Sequence, residues 1–187
     1  MSRLYLIAAT LNTLVLTLIL AAALIVQFAL GELPCPLCFL QRIAIMLCAL
    51  GPCFLLAQNR RSALTHRDLA IAGGMSVLAA LLGAAIAVRQ VLLHILPGDP
   101  GFGGTVLGMH LYTICLLVFI GHALAAGVML IFASTTDTFT QLNWPIAKGV
   151  FFAFGAVVII NLISVILQAG WHGMLPPDPV HYLMLSS

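Results

Sequence analysis

Two cysteines separated by two residues are the part of this sequence best suited to chemistry. Cys35 and Cys38 stand on either side of Pro36 and Leu37. Proline suits the first turn of a helix, where a missing N–H costs nothing, so the pair is predicted at a helix N-terminus. Backbone N–H groups at a helix start stabilise an anion, and Cys-X-X-Cys thiols there commonly have lowered pKa values. The spacing also allows a disulfide, and the pattern favours thiol–disulfide chemistry, with Cys35 expected by its position to be the more exposed of the two thiols.

Arg42 is the residue best placed to assist these thiols, because it follows Cys38 by one helical turn on the same face. Its charge is suited to stabilise a thiolate or to polarise a carbonyl group of a bound cofactor. Gln41 is a second candidate for such contacts, with a helix-surface amide as the alternative.

The composition indicates that these residues belong to a membrane protein. Hydrophobic residues make up 63% of the chain and charged residues 6%, whereas a soluble domain has about 25% charged residues. Runs of about 20 apolar residues span a bilayer as helices. Five such runs lie near residues 4–30, 37–57, 69–93, 110–133 and 147–169. The first is too long for a signal-peptide core and is predicted to be an uncleaved anchor. We expect an all-α protein with one membrane domain, residues 1–187.

The distribution of basic residues predicts the orientation. A cytoplasmic N-terminus places Arg42 and Arg89 near the outer ends of the second and third helices, and residues 170–187 outside. An arginine just inside the membrane is costly and is therefore a functional candidate. Arg89 and Gln90 are candidates for the same pocket, although Arg89 could instead extend to the lipid head groups. The other basic residues then lie inside: Arg3, Arg60, Arg61, Arg67 and Lys148. The small net charge of +2 indicates no nucleic-acid partner.

Two histidines are expected close to the cysteine pair. His94 ends the third predicted helix and His110 opens the fourth, so both can approach the pocket and move protons. The alternative is an interfacial histidine bonded to water or backbone. His122 and Asn161 lie deeper in the membrane and are expected to form hydrogen bonds between helices.

The three other cysteines are expected to be small buried hydrophobes, the usual role of an inert cysteine. Cys48 and Cys53 lie progressively deeper along the second predicted helix. Cys115 lies closest to the outer face and is a candidate resolving thiol.

The segment CPLCFLQR, residues 35–42, lies between two helices and resembles the disulfide bond formation protein B family. That family forms four-helix inner-membrane bundles that pass electrons from a periplasmic thioredoxin-fold thiol oxidase to quinone. The resemblance covers residues 4–133 and implies that Cys35 and Cys38 form a redox pair coupled to ubiquinone or menaquinone. It also implies that Arg42 lies against the quinone head group. The other candidate quinone-binding residues are Gln41, Arg89, His94 and His110.

Two features depart from the family pattern. Better-known members carry a second cysteine pair in the loop between helices three and four, but residues 94–109 contain no cysteine. Residues 89–112 instead resemble a short-loop branch of the family. Either Cys35 and Cys38 exchange directly with a partner, or another protein supplies the thiols, or oxidase activity has been lost. The fifth helix is the second departure, so the expected fold is a four-helix bundle plus a C-terminal helix and a periplasmic tail at residues 170–187.

The leading hypothesis is a thiol:quinone oxidoreductase of the bacterial inner membrane, with its N-terminus cytoplasmic and its C-terminus periplasmic. It would draw on the membrane quinone pool, require no metal and supply disulfides to a periplasmic thioredoxin-fold partner. One alternative is a metal-binding membrane protein in which Cys35, Cys38, His94 and His110 form a Cys₂His₂ site suited to zinc. Another is a non-catalytic membrane subunit that docks through its fifth helix.

Overall fold

The computed structural model describes residues 2–133, 140–172, 175 and 179–185, and in this part of the chain it contains five long helices. They are α1 (Ser2–Ala29), α2 (Pro36–Arg61), α3 (His66–Leu93), α4 (Leu111–Ala133) and α5 (Ile146–Ala169). Each is long and apolar enough to cross a membrane. The predicted all-α membrane fold with a fifth C-terminal helix is therefore confirmed.

The helix α2 lies at the centre of the bundle. It packs against α1 and α3 over most of its length and also contacts α4 and α5. The positions of α4 and α5 are set by the helices next to α2, because α4 packs on α3 and α5 packs on α1. The helix that carries the Cys-X-X-Cys segment is consequently surrounded by all the others.

Local capping contacts determine where two of the helices begin. Cys35 is the N-cap of α2, and its Sγ accepts a hydrogen bond from the Cys38 N–H at 3.2 Å. Thr65 and Asp68 form a capping box before α3, in which each side chain accepts a hydrogen bond from the other's backbone N–H. Because of this box α3 starts at His66, ahead of the apolar run that predicted it from residue 69.

The loop between α3 and α4 contains a short hairpin that was not predicted. Its strands β1 (Thr105–Val106) and β2 (Met109–His110) are antiparallel. The turn residues Leu107 and Gly108 have φ values of 53° and 76°, as a two-residue type I′ turn requires. The loop folds back over the end of the bundle, where it contributes to the wall of a cavity.

Buried polar and sulfur side chains deep in the bundle behave as predicted. His122 Nδ1 lies 3.3 Å from Asn12 Nδ2 and links α4 to α1. Cys48 and Cys53 are buried in the core of the bundle. These residues therefore contribute to packing between helices.

Close approach of α2 and α3 depends on Gly51. A Cβ at this position would overlap the carbonyl oxygen of Ala72 and the hydroxyl group of Ser76. We expect Gly51→Ala to lower the free energy of unfolding by about 1–3 kcal/mol, the usual cost of overpacking. Thermal unfolding of the detergent-solubilised protein measures this. Gly74→Ala is the matched control, because a Cβ on Gly74 meets nothing within 4 Å. Equal unfolding temperatures for the two variants would contradict the close approach.

Candidate active site

The two sulfur atoms of the Cys-X-X-Cys segment lie 2.6 Å apart as free thiols. A disulfide bond is about 2.05 Å long, so only a small movement joins them. Cys38 is half-buried and lines a cavity, whereas Cys35 is 6% exposed. The prediction that Cys35 is the more exposed of the two is wrong. As N-cap of α2, its side chain turns inward to the Cys38 N–H.

The environment of the pair favours a proton on Cys35. The hydrogen bond between the two thiols raises the pKa of Cys35, and burial raises it further. The protonated form of Cys35 is therefore favoured when the pair is reduced. Cys38 also lies on the first turn of α2, where backbone N–H groups stabilise an anion.

Gln90 of α3 connects the two sulfur atoms to a buried amide network. Its Nε2 lies 3.4 Å from Cys35 Sγ and 3.5 Å from Cys38 Sγ. Its Oε1 accepts a hydrogen bond of 2.8 Å from Gln41 Nε2. Because Gln41 occupies the oxygen, the N–H groups of Gln90 are directed at the sulfurs. Gln41 is buried, so it is not the helix-surface amide that the alternative interpretation required.

The Arg42 side chain is buried among neutral oxygen atoms. Its Nη1 donates to Gln27 Oε1 at 2.7 Å and to Asn161 Oδ1 at 3.5 Å. Its Nη2 donates to the Ala23 carbonyl oxygen at 3.0 Å. The Phe39 ring centroid lies 5.3 Å from its Cζ. Among the described residues the one ion pair within 4 Å joins His94 to Asp99. No carboxylate of these residues therefore lies within 4 Å of the guanidinium.

A cavity of about 310 Å³ opens beside Cys38 and Arg42. This volume is at the lower end of the range for small-molecule sites. Gln41, Glu32 and Tyr112 add polar groups to its wall, and the loop between α3 and α4 covers one side. Its apolar wall includes Ile19, Ala23, Val26, Ile45 and Leu111. An apolar slot with a thiol and a cation on one wall fits a flat ring that carries polar oxygen atoms, as a quinone does.

The structure does not bring Arg89 to this cavity. Arg89 is exposed, on a surface shared with Ala85, Val88 and Leu92. Neighbouring residues on a helix differ in direction by about 100°, so the inward direction of Gln90 turns Arg89 outward. Its position agrees with the alternative in which its side chain extends to the lipid head groups.

His94 and His110 lie one layer behind the cavity wall. Both rings stack on Tyr112, with centroid distances of 5.6 Å and 5.1 Å. His94 Nδ1 also lies 3.1 Å from Asp99 Oδ1. The Gly101 N–H and His94 hold the pKa of Asp99 below its usual range, so this carboxylate fastens the loop. The two histidines therefore reach the cavity only through Tyr112.

The geometry gives no support to the Cys₂His₂ alternative. Within the described part of the chain, no group of three or more histidine, cysteine, aspartate or glutamate side chains is placed to hold a metal ion. His94 is paired with Asp99, and His110 packs on Gly101 and Tyr112.

Several site residues were not identified from the sequence as part of the pocket. Gln27 contacts Arg42, and Gln168 Nε2 donates to the Pro34 carbonyl oxygen at 2.8 Å. Cys115, expected to be a small buried hydrophobe with a resolving thiol as the alternative, is half-buried and lines the cavity. The available signal was the presence of two amides, Gln27 and Gln168, near the C-terminal ends of the otherwise apolar helices α1 and α5, since polar groups within a membrane-spanning helix are costly.

The C-terminal residues also reach the site. Pro179 is buried and lines the cavity. The Tyr182 hydroxyl accepts a hydrogen bond of 3.3 Å from Gln27 Nε2, and its ring stacks on Phe28 at 6.3 Å. Tyr182 is thus held by α1, whereas Trp171 is exposed, as an interfacial anchor would be.

Replacing Gln90 tests the contact between the amide and the thiols. We expect Gln90→Leu to slow alkylation of the reduced cysteine pair by about tenfold. A hydrogen bond to a charged group contributes about 1.5–3 kcal/mol, and about 1.4 kcal/mol corresponds to tenfold. Iodoacetamide labelling followed by mass spectrometry measures the rate. Arg89→Ala is the control and should react like the unmodified protein. Unchanged reactivity of Gln90→Leu would show that the amide does not act on the thiols.

Comparison with known proteins agrees with this arrangement. Residues 5–103 match the family described as disulfide bond formation protein DsbB. Disulfide bond formation protein B of Chromobacterium violaceum is 35% identical over 142 residues, covering 73% of this chain and 78% of that protein. The protein of the same name from Chromohalobacter salexigens is 37% identical over 89 residues, covering 48% and 50%. Disulfide bond formation protein B 2 of Burkholderia lata is 40% identical over 80 residues, covering 43% and 44%.

No solved structure matches the chain at a meaningful level of similarity. The family match ends at residue 103, so it includes the cysteine pair and Arg42 but not α4 or α5. With five apolar helices and a Cys-X-X-Cys segment at the start of α2, this chain belongs to the disulfide bond formation protein B family of membrane proteins.

Proposed function

We propose that this protein is a membrane thiol:quinone oxidoreductase that supplies disulfides to a periplasmic thioredoxin-fold protein. The observation that carries the proposal is the shared wall of the cavity, where the Cys38 thiol lies next to the Arg42 guanidinium. Family membership supports disulfide formation. The size, apolar lining and single cation of the cavity support a quinone as the electron acceptor.

The exchange with the partner protein follows ordinary thiol–disulfide chemistry. A partner thiolate attacks the Cys35 sulfur of the Cys35–Cys38 disulfide, forms a mixed disulfide and releases Cys38 as a thiolate. The partner's second thiol then attacks the partner sulfur of the mixed disulfide, which forms the partner's disulfide and releases Cys35 as a thiol. The partner leaves with a disulfide, and this protein retains two thiols. Gln90 and Arg42 stabilise the departing Cys38 thiolate.

Reoxidation of the pair takes place at the cavity. A quinone, ubiquinone or menaquinone, held beside Cys38 and Arg42 would supply the oxidant, since its reduction to quinol consumes two electrons and two protons. The Cys35–Cys38 disulfide forms again, and the two thiol protons balance those taken up. Cys38 faces the electron acceptor, and Arg42 offers its N–H groups and charge to an oxygen atom that gains electron density.

Direct exchange at Cys35 requires the protein to open. Residues 94–109 have no cysteine, so no loop thiol can relay electrons from a partner. Cys35 is buried, and the segment 31–35 that carries it has no regular secondary structure. Docking of the partner therefore displaces this segment or Gln90 from the sulfur. The distribution of basic residues supports an outer, periplasmic position for this end of the bundle, with the N-terminus in the cytoplasm.

Quinone reduction by the purified protein, driven by a reduced thioredoxin-fold oxidase, tests the proposal. We expect turnover to vanish in Cys35→Ser and Cys38→Ser. Arg42→Ala should lower kcat by about 100-fold, the effect of removing a group that stabilises developing charge. Quinol absorbance provides the measurement.

Two control variants should leave that turnover unchanged. Arg89→Ala removes an exposed arginine at the same end of the bundle, and Cys48→Ala alters a cysteine buried in the core. Turnover that survives in either serine variant would refute the one-pair mechanism.

Cys115 provides a direct test of where the quinone binds. It lines the cavity, so bound quinone should shield it from maleimide. In a Cys35→Ser/Cys38→Ser background, we expect saturating ubiquinone to slow Cys115 labelling at least fivefold, as judged by mass spectrometry. Leu107→Cys in the same background is the control, because Leu107 is 93% exposed at the hairpin tip and should label equally with and without quinone. Equal Cys115 labelling under both conditions would place the quinone elsewhere.

A further inference from the structure

Within the part of the chain that the structure describes, the groups that contact Arg42 are all neutral, although two of them come from positions where a carboxylate would fit. Gln27 of α1 and Asn161 of α5 each offer one amide oxygen, and Ala23 offers a carbonyl oxygen. Gln27 and Asn161 are each 1% exposed. An aspartate or glutamate of the same shape would form a buried ion pair with the guanidinium. The chain instead supplies three neutral acceptors and leaves the charge in place.

Both amides are fixed with their oxygen atoms toward the guanidinium. Asn161 Nδ2 donates to the Val157 carbonyl oxygen at 2.9 Å, and Gln27 Nε2 donates to the Tyr182 hydroxyl at 3.3 Å. Since each NH₂ group has its own acceptor, the oxygen of each amide remains for Arg42, which can only donate. The orientation of the guanidinium therefore depends on α5 and on the C-terminal segment as well as on α1.

An uncompensated guanidinium acts on whatever negative charge appears beside it. The charge of Arg42 interacts with Cys38, and both residues line the same cavity. In an environment from which water is largely excluded, a charge acts much more strongly than in water. A carboxylate next to Arg42 would cancel most of this effect without removing any hydrogen bond.

We propose that Gln27 and Asn161 are positioning residues that keep Arg42 oriented and uncompensated, so that its charge serves the Cys38 sulfur and the quinone oxygen. The fifth helix is then a functional part of the site rather than an addition to the bundle. The part of this inference that concerns the quinone rests on the function proposed above. The part that concerns Cys38 does not.

Two substitutions at one position separate charge from packing. Asn161→Asp keeps an oxygen acceptor but neutralises Arg42, whereas Asn161→Leu removes the acceptor and keeps the charge. A structural role predicts that leucine is the more harmful change. The proposal predicts that aspartate is the more harmful change. An opposite charge nearby favours a thiolate by about tenfold or more, and Asn161→Asp cancels the charge of Arg42. We therefore expect alkylation of Cys38 by iodoacetamide to be slowed at least about tenfold in Asn161→Asp. Gln27→Glu should have the same effect.

The measurement uses reduced, quinone-free protein in detergent, so it is independent of turnover. Asn59→Asp is the matched control, because Asn59 is 1% exposed and lies near the opposite end of α2. It should leave Cys38 alkylation unchanged. Dissociation constants for a short-chain ubiquinone, measured in parallel, should rise at least about fivefold in Asn161→Asp and less in Asn161→Leu.

The outcomes distinguish this inference from the proposed function. Cys38 alkylation that is slowed by aspartate more than by leucine supports the inference, even if the unmodified protein binds no quinone, which would count only against the proposed function. Equal alkylation rates in the unmodified protein and Asn161→Asp would overturn it. A larger loss in Asn161→Leu than in Asn161→Asp would also overturn it, since packing would then explain the effect.

Discussion

The burial of one arginine charge at the end of a membrane bundle constrains the rest of this structure. Arg42 is 8% exposed, and a buried charge is tolerated only where its hydrogen-bond donors are satisfied. Its acceptors come from α1 and α5, while the arginine itself belongs to α2. Three helices must therefore converge at the same depth, and this requirement accounts for the amides of Gln27 and Asn161 in otherwise apolar helices.

A second hydrogen-bond network, formed by Gln41 and Gln90, meets the hydrogen bonds of Arg42 on the same helix. Cys38, Gln41 and Arg42 lie three and four residues apart and thus on one side of α2. From this side Gln41 reaches Gln90 of α3, and Arg42 reaches α1 and α5. The cavity lies between the two networks, so the thiol and the cation face the same space. The central position of α2 makes this possible, because only a helix that contacts all the others can serve both networks.

The sequence predicted the elements better than the directions of their side chains. Five apolar runs located the helices, and the spacing of Cys35, Cys38 and Arg42 indicated the candidate site. The sequence could not show which of Arg89 and Gln90 faces the cysteine pair, because α3 is apolar on every side and its rotation depends on packing against α2. The positions of His94 and His110 depend on the path of a loop that is set by a hairpin and by Asp99, which no helical periodicity describes. The role of α5 was unpredictable for the same reason, since Asn161 acquires its contact from tertiary packing.

The burial of Cys35 gives the loop between α3 and α4 a role in access to the cysteine pair, although that loop has no cysteine. A loop that carries no thiol can still control access to the pair, and the contacts at this end of the bundle indicate that it does. The Gly104 N–H donates to Glu32 Oε2 at 3.0 Å, which ties the loop to the segment that precedes Cys35. Phe102 closes the cavity from the same side, and Pro179 adds a further cover. In the proposed mechanism, a partner must displace these contacts before it can exchange with the buried Cys35 sulfur. Under that proposal, selectivity for the partner would come from opening the site and would not require a second cysteine pair.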